Sequence, residues 1–323
     1  MGDLPTQRVN SFTRLFVVTG VDYAGPLQIR ESRRRGKIHV SKGYIAVFTC
    51  FNTKAVHLEL VTELTTEAFL AALSRFTARR GLCSQIFSDN ATNFIGAARE
   101  LQEIYEFLKK NHNEITTQLA NQHIQWNFIP PRAPNFGGLW EAAVKVAKRH
   151  LYIMTRDLTL TFEECYTLLT EIEAIMNSRP LTALSSDPND LSVLTPSHFL
   201  IGDSLVQPVQ HNLTETPDNR LTRWQHFKKI CQNFWRRWHS EYLHELQEKK
   251  KWTVSGKNIA LGTIVMLKED NLPPLQWAIG RVIELHPGPD GITRVVSVRT
   301  QGGVFKRAVR NLCPIPMDDC EED

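Results

Sequence analysis

The sequence predicts an α/β domain built on a mixed five-stranded sheet, followed by a helical linker and a small β-barrel. Three observations predict it. Short apolar runs with strand character alternate with helical patterns up to Asn177, in the order β-β-β-α-β-α-β-α-α, which defines a single mixed-sheet domain. A basic amphipathic helix follows a stretch of poor periodicity. Beyond Trp252 there are strands and turn signals with no helix, over about sixty residues, the pattern of a small barrel.

Each element has its own signal. Leu15 to Asp22 (LFVVTGVD) is a short run rich in Val and Phe, typical of a buried strand, and Tyr44 to Phe51 repeats that character. Val56 to Val61 (VHLELV) alternates apolar and polar, as a strand with one wet face does. These three read as an antiparallel meander. Between the first two, Arg33-Arg34-Arg35-Gly36-Lys37 reads as a solvated hairpin tip.

Thr65 to Arg80 follows as an amphipathic helix with Phe69, Leu70, Leu73 and Phe76 on one face and Gly81 as the stop. Gln85 to Asp89 is a fourth strand ending in an acid. Ala97 to Lys110 is helical, and His123 to Ile129 is a fifth strand closed by Pro130-Pro131. Leu139 to Arg156 and Phe162 to Asn177 are two further helices, the second closed by Pro180.

The domain plan is therefore a catalytic-size core over 1–180, a linker and basic helical segment over 181–252, a small barrel over 253–316 and an acidic tail over 317–323. Leu181 to Asn219, rich in Pro, Ser, Asp and Asn, reads as a linker with local docking elements. The helix from Arg220 to about Lys250 carries Trp224, Phe227, Cys231, Phe234 and Trp238 at spacings of three and four. Such a stripe reads as packing surface before it reads as a base-stacking platform. Strands follow at Thr263 to Lys268, Trp277 to Leu285, Thr293 to Thr300 and Val304 to Arg307, with Pro289-Asp290-Gly291 as a tight hairpin.

Composition excludes some classes. No apolar run approaches the roughly 20 residues of a membrane helix, and the N-terminus lacks a secretory core. The six cysteines are scattered without a C-x-x-C pair, which argues for free thiols rather than a zinc knuckle or disulfide framework. The sequons at Asn90 and Asn212 are chance matches in a chain with no export signal. Net charge is only +4, but Arg220 to Lys251 concentrates nine Lys or Arg against three Glu. That stretch suits a phosphate backbone, with a solvated helix face as the plain alternative.

Three acids stand where a strand ends or a helix begins. Asp22 closes the first strand, Asp89 closes the fourth, and Glu141 opens a helix after the loop Pro134-Asn135-Phe136-Gly137-Gly138. If the first and fourth strands are neighbours, two carboxylates converge at one sheet edge and the helix brings a third. Such a set offers hard oxygen ligands for two Mg²⁺ ions. Lys145 and Lys148 lie four and seven residues after Glu141, on its helical face. They read as a track for DNA phosphates, or as an ordinary salt-bridged face.

The stretches VDYAGPL, AVFTCFNTKAVHLELV, FSDNATNFIGA, WNFIPPRAPNFGGLWEAAVKVAKRHL, IMNSRPLT and LTPSHFLIG resemble the integrases of Pao/BEL-type long-terminal-repeat retrotransposons along nearly the whole chain. GTIVMLKEDNLPPLQWAIGRV onward resembles that family's C-terminal domain. The resemblance implies a ribonuclease H-like catalytic core and an SH3-like C-terminal barrel. It implies a metal-binding D,D,E triad at Asp22, Asp89 and Glu141, holding two Mg²⁺ or Mn²⁺ ions. It places DNA contacts at Asn93, Lys145 and Lys148. Fifty-one residues separate Asp89 from Glu141 (141 − 89 − 1), and the extra length relative to retroviruses fits between Ala97 and Asn121.

The expected function is metal-dependent 3′-end processing and strand transfer on double-stranded DNA, by a homo-oligomer acting in the nucleus after cytoplasmic transit. One departure is that no His-His-Cys-Cys zinc set precedes Asp22. The chain is then a fragment of a polyprotein or a host gene that kept part of an element, and the opening MGDLP favours the fragment. The alternative functions are a domesticated, catalytically silent DNA-binding scaffold, against which the intact triad counts, and a ribonuclease H-like nuclease without joining activity. From Gly262 to Pro314, Lys268, Arg281, Arg294, Arg299, Lys306, Arg307 and Arg310 stand against four acids, which suits backbone contact without sequence reading.

Overall fold

A computed structural model of the chain describes residues 14–30, 39–88, 107, 110–120, 124–128, 134–155, 158–185, 187, 189–208, 210–247, 259–269 and 272–315. The chain divides into two compact units, Met1–Met176 and Asn177–Asp323.

The first unit is a mixed α/β layer. Strands β1 (Val18–Arg30), β2 (Val40–Cys50) and β3 (Val56–Val61) form the expected antiparallel meander. Strands β4 (Gln85–Ser88) and β5 (Gln125–Phe128) continue the sheet in parallel, giving the order β3-β2-β1-β4-β5. A short β6 (Thr159–Thr161) pairs in parallel with the far end of β1, so the sheet has six strands where the sequence predicted five.

That sixth strand exists because β1 does not stop at Asp22. The expectation of a strand end there is corrected: pairing runs on through Ala24, shifts at a bulge, and resumes from Leu27 opposite Gly43 to Arg30 opposite Val40. A proline has no N–H to give the ladder and is tolerated at a bulge, and Pro26 occupies that shift. Gly25 precedes it at φ +123°, where a Cβ would come within 3.1 Å of the Gly43 carbonyl oxygen, so the bulge needs glycine. The basic turn 33–37 lies outside the described residues.

Helix α1 (Thr66–Arg80) is capped by the Thr65 hydroxyl accepting the Ala68 N–H at 3.1 Å, and it ends at Gly81 with φ +87°. It buries Phe69, Ala72, Leu73 and Phe76. The Phe76 ring stacks on Phe48 at 4.3 Å and meets Phe16 edge-on at 5.2 Å, which fixes the helix over β2. Of the helix expected over 97–110, only Phe107 and Lys110 are described. Helix α2 (His112–Ala120) was not predicted. Its segment is rich in Asn and Thr, and Ile115 and Leu119, one turn apart, are buried along one edge.

Helix α3 (Pro134–Thr155) begins five residues earlier than expected, so the glycine-bearing segment is its first turn rather than a loop. Proline suits a first helical position, and the apolar set Val144, Ala147 and Leu151 anchors the rest. Helix α4 (Phe162–Asn177) buries Cys165, Leu168, Leu169, Ile172 and Ile175.

The second unit starts with a two-stranded ribbon, β7 (Thr182–Ala183) with β8 (Val193–Leu194), and the short helix α5 (Pro196–Ile201). Helix α6 (Arg223–Leu246) opens with a capping box between Thr222 and Gln225. Strands β9 (Ile264–Leu267), β10 (Ile279–Pro287), β11 (Thr293–Thr300), β12 (Gly303–Ala308) and β13 (Leu312–Pro314) form one antiparallel sheet in the order β12-β11-β10-β9-β13. The predicted hairpin at Pro289-Asp290-Gly291 joins β10 to β11, with Gly291 at φ +75°. β13 was not predicted. Leu243 of α6 packs with Ile264, Met266, Cys313 and Ile315.

The segment expected to be a linker is tied into this unit. Arg281, only 5% exposed, donates to the Gly262, Asp187 and Asp190 carbonyls at 2.8–3.0 Å, which pins the 187–190 turn to the sheet. Among the described residues no helix is long and apolar enough to cross a membrane. The five described cysteines are free and buried.

Candidate active site

Asp22 sits in mid-strand on β1, the centre of the sheet, with Val47 of β2 opposite. On its other side β1 runs parallel to β4, with Val21 opposite Ser88. Asp89 is the next residue in the chain and, like Asn93, lies outside the described residues. Alternation along β1 sends Tyr23 into the core and leaves the Asp22 side chain 36% exposed.

Helix α3 packs along β1 and delivers Lys148 to this carboxylate. The Lys148 ammonium donates to Oδ2 of Asp22 at 2.5 Å, and Oδ1 accepts the Tyr23 backbone N–H at 2.7 Å. Glu141 is within the same helix, seven residues before Lys148, which is about 10 Å along the axis and nearly the same angular position. Its side chain is outside the described set. Lys145 is described and exposed. The structure therefore brings Asp22 and Lys148 together, sets Lys145 on the solvent side of the helix, and describes Glu141 by its backbone only. Among the described residues, no group of three or more His, Cys, Asp or Glu gathers to hold a metal.

Behind β3 lies a charged cluster that sequence reasoning missed. The predicted wet face of that strand is buried throughout. His57 and Glu59, each 1% exposed, are covered by α1 and α4 instead of water. Glu59 accepts from Arg75 Nε at 2.6 Å and Arg79 Nη1 at 3.0 Å, and His57 Nε2 lies 3.1 Å from its Oε1. Glu173 of α4 takes His57 Nδ1 at 3.2 Å, Arg80 Nη2 at 2.5 Å and the Leu58 N–H at 2.8 Å. Burial opposes a charged His57, but the hydrogen bonds to Glu173 and Glu59 outweigh it and hold its pKa above the usual value. For Glu59 burial likewise opposes the charge, and His57 and Arg75 overcome it, so its pKa lies below the usual value. The alternation of VHLELV was the signal, since His and Glu on one strand face need either water or partners.

The aromatic stripe of α6 divides. Phe227, Cys231, Phe234 and Trp238 are buried, and Trp238 joins Trp235, Tyr242 and Trp277 in a ring cluster. Trp224 is 60% exposed. Of the basic residues counted on the C-terminal strands, Arg281 is buried and committed internally, Arg294 pairs with Asp290 at 2.6 Å, and Arg307 pairs with Glu269 at 3.1 Å.

Residues 222–315 match a family described as a family of unknown function (DUF5641). No curated protein matches the chain. Among solved structures, a cryo-electron-microscopy structure of a simian T-cell lymphotropic virus intasome in complex with the PP2A regulatory subunit B56 gamma is similar over 96% of this chain and 85% of that one. Identity is 11% and the TM-score 0.33, a slight likeness.

Proposed function

We propose that the chain is a retroelement integrase of the Pao/BEL type, a metal-dependent polynucleotidyl transferase with a ribonuclease H-like core and an SH3-like C-terminal module. One observation carries the reading. An acid on the central strand, Asp22, stands beside a parallel strand whose next residue is Asp89, under a helix that bears Glu141 and lays its lysine on that acid.

The donor set fits a divalent metal pair. Three carboxylates are hard oxygen ligands, and the partly exposed Asp22 carboxylate would take an ion at Oδ2 once Lys148 moves off it. Asp22, Asp89 and Glu141 would hold two Mg²⁺ or Mn²⁺ ions. Such ions, when bound, would activate an attacking oxygen and stabilise a leaving one.

The chain's own residues would do the rest. Lys145, exposed on α3, and Asn93 would hold DNA phosphates beside the acids, and Lys148 would pass from Asp22 to a phosphate as DNA arrives. The chemistry is two in-line displacements at phosphorus. In the first, a water oxygen bonds to phosphorus and the 3′-oxygen of the end being trimmed leaves. In the second, the new 3′-OH bonds to a target phosphorus and a target 3′-oxygen leaves. No protein nucleophile is needed. The partners are double-stranded element ends and target DNA, with the protein as a homo-oligomer in the nucleus. Incubating the full chain with labelled terminal-repeat duplexes and Mg²⁺ or Mn²⁺ tests this: joined products support it, and metal-independent or absent joining by folded protein opposes it.

A further inference from the structure

We infer that Trp224 of α6, in the second unit, is a stacking platform for an unpaired base of a nucleic-acid strand. The stripe to which Trp224 belongs by spacing is a packing surface everywhere else. Its other members are buried, and Trp224 alone stands 60% exposed. An indole costs free energy in water, and one face of this one is already supported by the Phe227 ring, stacked at 5.5 Å and 15°. The ammonium of Lys228 lies over the indole, 4.9 Å from the ring centroid. A rigid aromatic held flat by a buried neighbour, with a cation against it, offers what a base and its phosphate take together.

The surroundings fit a polyanion. Gln210, His211, Leu213, Gln225 and Lys228 line an open recess of about 310 Å³ beside the ring, with no carboxylate among them. Its wall is held in place because the buried Gln232 takes the Leu213 N–H and donates to the His211 carbonyl, each at 2.8 Å. Of the acids that precede the helix, Asp218 is paired with Lys229 at 2.8 Å. With the Lys229–Asp218 pair set aside, the helix carries Arg223, Lys228, Arg236 and Arg237 against Glu241 and Glu245, an excess of positive charge that an acidic strand complements and a basic protein surface does not. Stacking ignores base identity, so the site takes single strands with little sequence preference. When a base covers the indole, the Lys228 ammonium moves to the phosphate.

The test uses the full chain, fluorescein-labelled oligothymidine and a duplex of equal length, with a chelator present so that no metal site contributes. Anisotropy titrations across a salt series give both affinities, and light scattering gives the oligomeric state. Trp224→Ala is expected to weaken single-strand binding about tenfold and duplex binding by less than about twofold, at unchanged oligomeric state. Trp224→Phe, which keeps the packing and a flat ring, is expected to recover most of the loss. Lys228→Gln is expected to make the single-strand salt slope shallower by roughly 0.7. Unchanged single-strand affinity in Trp224→Ala overturns the inference. So does an equal loss for single strand and duplex, or a loss that accompanies a lower oligomer, which makes Trp224 a protein-docking residue. Because no catalysis is read, failure here leaves the integrase reading standing, and the reverse also holds.

Discussion

The Lys148 ammonium lies 2.5 Å from Oδ2 of Asp22, joining residues 126 positions apart, and on the proposed reading it competes there with a metal ion. Both side chains are partly exposed, so the pair is worth roughly 0.5–1 kcal/mol. Lys148→Gln is therefore expected to tighten Mn²⁺ binding by the DNA-free protein about two- to fivefold, read as free Mn²⁺ by electron paramagnetic resonance. Equal affinity in both proteins would show that the lysine does not compete for that oxygen.

Lys145 is exposed on the same helix, and on the proposed reading it meets DNA phosphates. Lys145→Ala should weaken duplex binding whatever the sequence, and make the slope of log K against log salt shallower by about 0.9. An unaltered slope removes Lys145 from the DNA track.

The buried cluster behind β3 makes a pH prediction. The stabilisation from His57, whose pKa is raised, is full below 6.5 and is lost as pH rises through its folded value. That from Glu59, whose pKa is lowered, is present above 4.5 and is lost as pH falls through its folded value. The cluster is strongest between those limits. The melting temperature of the wild type should fall as pH rises above 6.5, and His57→Asn should flatten that limb. Glu59→Gln strands two arginines that are less than half exposed, and should cost about 2–3 kcal/mol, below the full penalty for a buried pair. A pH profile identical in wild type and His57→Asn would remove the imidazole from the effect.

Arg281 holds three carbonyls while 5% exposed. Replacing it by Met keeps the stem and strands those acceptors, so urea unfolding of the second unit should lose about 2–4 kcal/mol. Its DNA salt slope should stay as in wild type, since a buried guanidinium meets no phosphate. A changed slope with unchanged stability would reverse that assignment.

Much of the sheet was legible because apolar runs and turn residues coincide with its strands. What escaped reading depends on distant partners. β1 passes Pro26 only because β2 and Gly25 accommodate a bulge, and β6 then finds a place beside it. β3 looked half-wet because its polar residues meet Arg75, Arg79 and Glu173, which lie 16 to 116 residues away. The segment before α6 reads as a linker by composition, and Arg281, far along the chain, ties it down. At the site, the strand that carries Asp22 was legible from its apolar run, although its continuation past Asp22 was not. The Lys148 contact was not legible, since only packing of α3 on β1 creates it.

Strand transfer by variants of the acid on the central strand tests the integrase reading most directly. Asp22→Asn keeps the shape and the Tyr23 contact but removes a charged oxygen ligand, so joining of labelled terminal-repeat ends in Mg²⁺ should fall to background. Circular dichroism and duplex affinity should stay close to wild type. Joining at a substantial fraction of the wild-type rate, by a folded Asp22→Asn protein, would contradict the reading.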